Sequence, residues 1–265
     1  MWCCRPAPLA AAPERGRHPP VLPARSCVEP RLCRHHLSGR EPSYVKYRAV
    51  FFDVDGTLVD SNDMHVLAWE EAFRSIEADF DRATIHGQIG KGKDMLVPTL
   101  IPDADADLIE KLGEAHGAVF KPDLLEQVRP FPGAHDLLAR VHAAGQTVVL
   151  ASSASAEEVD HYLDLLDARD LVQATTSSGD VEHTKPAPDI FVAALKKVAP
   201  LSAEEVLVVG DSPYDVEAAS KCGIATIALL SGKFPEETLR EAGAIAIYND
   251  VAALLAEYDR SPLGR

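Results

Sequence analysis

Apolar residues along this chain fall into short continuous runs separated by helical periodicity. Ala49-Val50-Phe51-Phe52 is the first run, Thr147-Val148-Val149-Leu150 the second, and Val172-Gln173-Ala174-Thr175 a weaker third. Val206-Leu207-Val208-Val209, Ile224-Ala225-Thr226-Ile227 and Ala244-Ile245-Ala246-Ile247 follow. The runs are continuous rather than alternating, as expected of strands buried on both faces. Between them, apolar residues recur at three- and four-residue spacing over about 133–144, 155–167, 187–199, 213–221 and 235–242. Strands alternating with helices predict an α/β fold, a doubly wound parallel sheet. Ligands of such sheets sit at the carboxyl ends of the strands.

One connection breaks the rhythm. From the first strand to the helix near 133 no strand pattern appears, only helical stretches near 62–77, 92–100 and 104–120. Gly87, Gly90, Gly92, Pro98, Pro102 and Pro122 punctuate them. A connection this long is not expected to be bare loop. It predicts a small inserted helical cap at 62–129, over a core made of 47–61 and 130–265. Trp69 and Phe73, four apart, are expected in the cap core.

The first 46 residues look different. They hold eight of the 26 basic residues, only three of the 41 acidic ones, and eight of the 19 prolines. The remaining chain therefore carries 18 basic against 38 acidic groups. Residues 1–46 show no apolar period, and proline removes hydrogen-bond donors, so a disordered N-terminal tail is expected. Its arginines resemble those of an organellar transit peptide, but serine is scarce, and a secretory signal would need a longer apolar stretch. Cys3, Cys4, Cys27 and Cys33 match no common zinc spacing, even with His35 and His36 nearby. Cys222 reads as a small core residue. Without a disulfide framework the reducing cytoplasm is the expected compartment. No run approaches the ~18 apolar residues of a membrane span. The net charge of -15 argues against nucleic acid and anionic membrane as partners. An anionic substrate would then need a local cation.

Chemistry-bearing residues collect where strands end. Asp53 and Asp55 leave the first strand in Asp53-Val54-Asp55-Gly56-Thr57-Leu58, and two adjacent acids need a cation or a shared proton. Ser152 and Ser153 end the second strand just before a helix, where hydroxyls and free N–H groups can hold an anion, or simply cap the helix. Lys185 precedes Pro186 at the mouth of another helix. Asp211 and Asp215 flank the turn Gly210-Asp211-Ser212-Pro213-Tyr214-Asp215, placed to bind a hard cation with Asp53.

In order and spacing, Asp53-Val54-Asp55-Gly56-Thr57, Ser152, Lys185 and Gly210-Asp211-Ser212-Pro213-Tyr214-Asp215 resemble the four motifs of the haloacid dehalogenase-like (HAD) hydrolases. The resemblance spans about 47–258. The helical insertion, with Thr57-Leu58-Val59-Asp60-Ser61, His65 and Trp69, is similar to the phosphoglycolate phosphatase and β-phosphoglucomutase branch. It implies a Rossmann-like core and a Mg²⁺-dependent phosphatase acting on a small phosphate monoester through an aspartyl-phosphate. Asp53 would be the nucleophile, and Asp55 the acid and base, with a raised pKa. Ser152, Ser153 and Lys185 would bind phosphate. Asp53, the Asp55 carbonyl, Asp211 and Asp215 would serve the metal. In the cap, Lys91 or Lys93 is expected to meet a second anionic group, and His65, near the hinge, to orient Asp55 or the cap. Family dehalogenases lack the second aspartate, which favours phosphoryl transfer here. A phosphosugar mutase shares these motifs and is the alternative; a phosphonate hydrolase using a cap lysine, or a non-catalytic phosphate-binding module, is a more distant one. A monomer or small homo-oligomer is expected.

Overall fold

The computed structural model describes residues 45–265. The expected disordered tail, its four cysteines and the transit-peptide resemblance lie outside the described residues, save for positions 45 and 46.

Strand β1 (Ala49–Phe52) leads into the short β2 (Val59–Asp60). Helices α1 (Asn62–Arg74), α2 (Arg82–His86), α3 (Lys93–Leu100) and α4 (Ala106–Val119) follow. The chain returns through β3 (Arg129–Pro130) and α5 (Ala134–Ala143). The order then runs β4 (Thr147–Ala151), α6 (Ala156–Leu165), β5 (Ala174–Thr176), α7 (Asp189–Lys197) and β6 (Val206–Gly210). It ends with α8 (Pro213–Lys221), β7 (Ala225–Leu229), α9 (Glu236–Ala242), β8 (Ala246–Tyr248) and α10 (Val251–Ala256).

Six strands form one sheet in the order β5-β4-β1-β6-β7-β8, every pair parallel. Strand side chains alternate between its faces. Val50, Phe52, Val148, Leu150, Leu207 and Val209 pack with α5, α6 and α10. Phe51, Val149, Val206 and Val208 pack with α7 and α8 on the other. Burial on both faces explains the unbroken apolar runs. The strand order reverses between β4 and β6 around β1, the position where doubly wound sheets bind ligands.

Two expected strands start later than the apolar pattern. Gly223 and Gly243 adopt φ +74° and +108°, and the following Ile224 and Ala244 donate back to Ala219 and Leu239. These apolar residues therefore close helices before the strands begin. In the weak third run, Val172 donates to Ala168, and pairing starts only at Ala174.

Helices α1–α4 carry their own core of Trp69, Phe73, Ile85, Leu96, Val97 and Leu112. The antiparallel pair β2–β3 closes the neck of this insert through Val59↔Pro130 and Asp60↔Arg129. Among the described residues no helix is long and apolar enough to cross a membrane. Cys222 is half-buried against the α7–α8 side of the core.

Candidate active site

The four sequence signals arrive at one place because β1, β4 and β6 are parallel neighbours ending at the same edge. Asp53 leaves β1, Ser152 leaves β4, and Asp211 leaves β6. Lys185 enters from the loop before α7. All four are buried, Lys185 and Ser152 completely.

Lys185 Nζ donates to Asp53 Oδ1 and to the Ala151 carbonyl at 2.9 Å, and sits 2.7 Å from Asp215 Oδ1. Asp215 Oδ2 accepts from Ser212 N at 3.1 Å and Ser212 Oγ at 2.6 Å, the reciprocal cap that starts α8. Among the described residues, no cationic side chain pairs with Asp211. It accepts from Thr57 Oγ1 at 3.0 Å and Asn62 Nδ2 at 3.0 Å. Thr57 Oγ1 also lies 3.3 Å from Asp53 Oδ2.

One oxygen each of Asp53, Asp211 and Asp215 lies within 4.8 Å of the others. One lysine against three buried carboxylates leaves the cluster anionic. Burial, then Asp215, push Asp53 up to about 7 despite the opposing pull of Lys185. Burial, then Asp53 and Asp215, push Asp211 well above the usual carboxylate range. Lys185 stays charged: burial works against it, but Asp215 and Asp53 outweigh burial and raise its pKa. Such a cluster calls for a proton or a hard cation. The surroundings fit a cation. Asn62 Oδ1 is buried without a partner. The backbone crowds Asp211 from two sides: a Cβ on Gly56 (φ +76°) or on Gly232 would sit 2.2 or 1.9 Å from Asp211 Oδ2. Only glycine permits that approach.

Asp55 faces elsewhere. Its carboxylate is outside the triad, so only its backbone carbonyl is left to serve a metal. Asp55 Oδ1 accepts from Ser61 Oγ at 2.7 Å and Tyr162 OH at 2.9 Å, and lies 3.1 Å from His65 Nε2. Ser152 Oγ approaches Oδ2 at 3.4 Å. The expectation of a raised Asp55 pKa is corrected here. Burial raises it, but the His65 charge and the bonds from His65, Ser61 and Tyr162 win, holding it at about 2. Burial works against a charged His65, but the Asp55 charge and hydrogen bond outweigh it and raise the His65 pKa. His65 Nδ1 in turn lies 3.2 Å from His116 Nε2.

A cavity of about 880 Å³ opens above Asp53 and Asp55, between the strand ends and the helical insert. Ser153 lines it and donates to the Gly90 carbonyl at 3.2 Å. Lys91 and Lys93, expected to meet a second anion, also line it. Lys91 Nζ donates to Gln88 Oε1 at 2.6 Å and lies 4.5 Å from the Tyr214 ring centre; Lys93 Nζ pairs with Glu110 at 2.5 Å. The sequence reading gave no role to Asn62, Gly232, Tyr162 or His116. Asn62 directly follows the Thr57–Ser61 run, and Gly232 stands just past a strand end. Tyr162 and His116 have no local signal, since each occupies an ordinary helical position.

A model of the family described as haloacid dehalogenase-like hydrolase matches residues 50–229, more than half of the chain and all four strand-end signals. The chain belongs to the haloacid dehalogenase-like hydrolase family. A relative from Rhodospirillum rubrum, named phosphoglycolate phosphatase, is 27% identical over 216 residues, covering 78% of this chain and 89% of its own. An Escherichia coli K12 relative named fructose-1-phosphate phosphatase YqaB is 25% identical over 185 residues, covering 69% of this chain and 97% of its own. Among solved structures, a hydrolase from Pseudomonas syringae superposes with a TM-score of 0.76 at 31% identity, over 81% of this chain and 98% of that one. One titled putative β-phosphoglucomutase from Bacteroides vulgatus reaches 0.74 at 23% identity, over 83% and 92%, and speaks for the HAD fold alone.

Proposed function

We propose that this HAD hydrolase cleaves small-molecule phosphate monoesters by way of an aspartyl-phosphate on Asp53. One observation carries the reading: a buried Asp53, paired with Lys185 and grouped with Asp211 and Asp215, lies at a cavity floor beside a second, separately held carboxylate, Asp55. The names of the phosphatase relatives support the substrate class.

In the first half-reaction an Asp53 oxygen attacks phosphorus, an O–P bond forms, and the ester O–P bond breaks. Lys185 offsets the charge that anionic nucleophile and anionic phosphate bring together. The Ser152 hydroxyl would donate to a phosphoryl oxygen, with the Ser153 N–H as its helper. The leaving alkoxide needs a proton, which the Asp55–His65 pair holds. In the second half-reaction Asp55, ionised, takes a proton from water. The water oxygen bonds phosphorus, the Asp53 O–P bond breaks, and inorganic phosphate leaves. Asp53, the Asp55 carbonyl and Asp211, supported by Asp215, would hold Mg²⁺, which when bound supplies further positive charge against the phosphate.

The test is phosphate release from a panel of phosphomonoesters with Mg²⁺ and with chelator. Wild type is expected to turn over in Mg²⁺ alone. Asp53→Asn is expected to lose roughly 10³-fold or more in kcat with an unchanged circular dichroism spectrum. Retained activity in that variant removes Asp53 as the nucleophile. Conversion of glucose 1-phosphate without phosphate release would instead make the protein a mutase.

A further inference from the structure

Asp55 is a hydrogen-bond acceptor at Oδ1, so the His65 nitrogen facing it at 3.1 Å, Nε2, carries the hydrogen. An imidazole held by one nitrogen can still swing about that bond. Here the other nitrogen, Nδ1, is also engaged, 3.2 Å from His116 Nε2. Whichever of those two facing nitrogens bears a proton, the contact fixes the ring plane. Stacking fixes it further. The His65 ring lies on Phe120 at 4.0 Å between centres and 13° between planes, and His116 lies on Trp69 at 4.6 Å. His116 comes from α4, in the insert, whereas Asp55 belongs to the loop leaving the sheet. His116 also lines the cavity without touching the strand-end carboxylates.

We propose that His116 is a positioning residue that, through His65, aims the Asp55 carboxyl at the leaving-group oxygen. The inference rests on the hydrolase reading above. A partner two bonds removed from the reacting atoms acts by orienting the group between, as second-layer partners of other sites do. Its effect must therefore scale with how much the leaving group needs a proton. An alkyl alcohol leaves as a strong base and needs one; p-nitrophenolate is stable as an anion and does not. A role confined to folding would affect both esters alike.

The experiment compares kcat/KM for an alkyl phosphate, glycerol 1-phosphate, with that for p-nitrophenyl phosphate. This constant reports events up to departure of the first product, so the later hydrolysis of the intermediate does not enter. His116→Phe keeps the stacking and removes the nitrogen; His116→Ala removes both. In either variant the alkyl ester is expected to lose roughly 10–100-fold and the aryl ester less than about threefold. His116→Gln, which restores a polar atom facing His65, is expected to recover most of the alkyl activity. Equal losses on the two esters, or no loss on the alkyl ester, overturn the role of His116 while leaving the hydrolase reading intact. A wild type that turns over neither ester overturns the hydrolase reading, and this inference with it.

Discussion

Asp53 and Asp211 sit in the native state with pKa values raised by burial, then by neighbouring acids, Asp53 to about 7. The folded protein therefore holds protons that the unfolded chain, with carboxylates near 3.8, releases. The stabilising contribution of such groups is fully present below about pH 4 and is lost as pH rises through the folded value. His65, also raised, adds a loss of the same sign at higher pH; Asp55, lowered to about 2, contributes a constant stabilisation above about pH 4 that is lost only as pH falls toward 2, so it does not vary across this window. A divalent cation at the triad takes over the work of those protons and releases them on binding. The gain in Tm on adding MgCl₂ is accordingly expected to be small at pH 5 and larger at pH 8. Differential scanning fluorimetry at matched ionic strength measures it. A gain independent of pH, or larger at pH 5, contradicts metal binding at these carboxylates.

Helices α2 and α3 illustrate what one element must do for another. The turn between them touches the core repeatedly. Tyr214 OH donates to the Gly87 carbonyl, and Gly92 N donates to Thr184 Oγ1 at 2.8 Å. Asp94 accepts from Thr184 N at 2.9 Å and from Thr184 Oγ1 at 2.5 Å. Thr184 immediately precedes Lys185, so the insert and the buried lysine share one anchor. Two bonds to a carboxylate are worth about 1.5–3 kcal/mol each at most. Asp94→Ala is expected to lower kcat/KM by roughly tenfold or more, with faster deuterium exchange at 88–96 and 182–186 and a lower Tm. Unchanged exchange there would show that the insert is held by other contacts. Elements of this kind explain what the sequence reveals. Runs such as Val206–Val209 and the periods of α5–α9 are legible because burial dictates them residue by residue. So is the placement of Asp53, Ser152 and Asp211, each one or two steps past an apolar run. The β2–β3 pair is too short to show a period, and α10 falls in a stretch of small apolar residues. His116 reads as one more polar position on α4, because its meaning depends on a helix more than 40 residues upstream.

The whole molecule is acidic, with a net charge of -15, and its cavity wall keeps that character away from Lys185. Among the described residues, Glu110, Glu114 and Glu182 line the cavity, and no arginine does. Lys93 is paired with Glu110, and Lys121, also at the wall, with Glu157. The floor carries Lys185, whereas the wall presents a far-end carboxylate with acids, two acid-paired lysines and Lys91, which donates to the neutral Gln88 amide. Hydroxyl groups find acceptors there instead. Between the two substrates named by the relatives, fructose 1-phosphate is therefore expected to be preferred over 2-phosphoglycolate, by about tenfold in kcat/KM at low salt, equivalent to ~1.4 kcal/mol. Because the discrimination is repulsion across solvent, it is expected to shrink as salt shortens the screening length from ~30 Å at 0.01 M to ~8 Å at 0.15 M. Glu114→Gln with Glu182→Gln is expected to narrow the gap from the phosphoglycolate side, leaving the sugar phosphate nearly unchanged. A preference for 2-phosphoglycolate at low salt would mean that Lys91 or Lys93 leaves its present partner to receive the second anion, and Lys91→Ala and Lys93→Ala would then identify which.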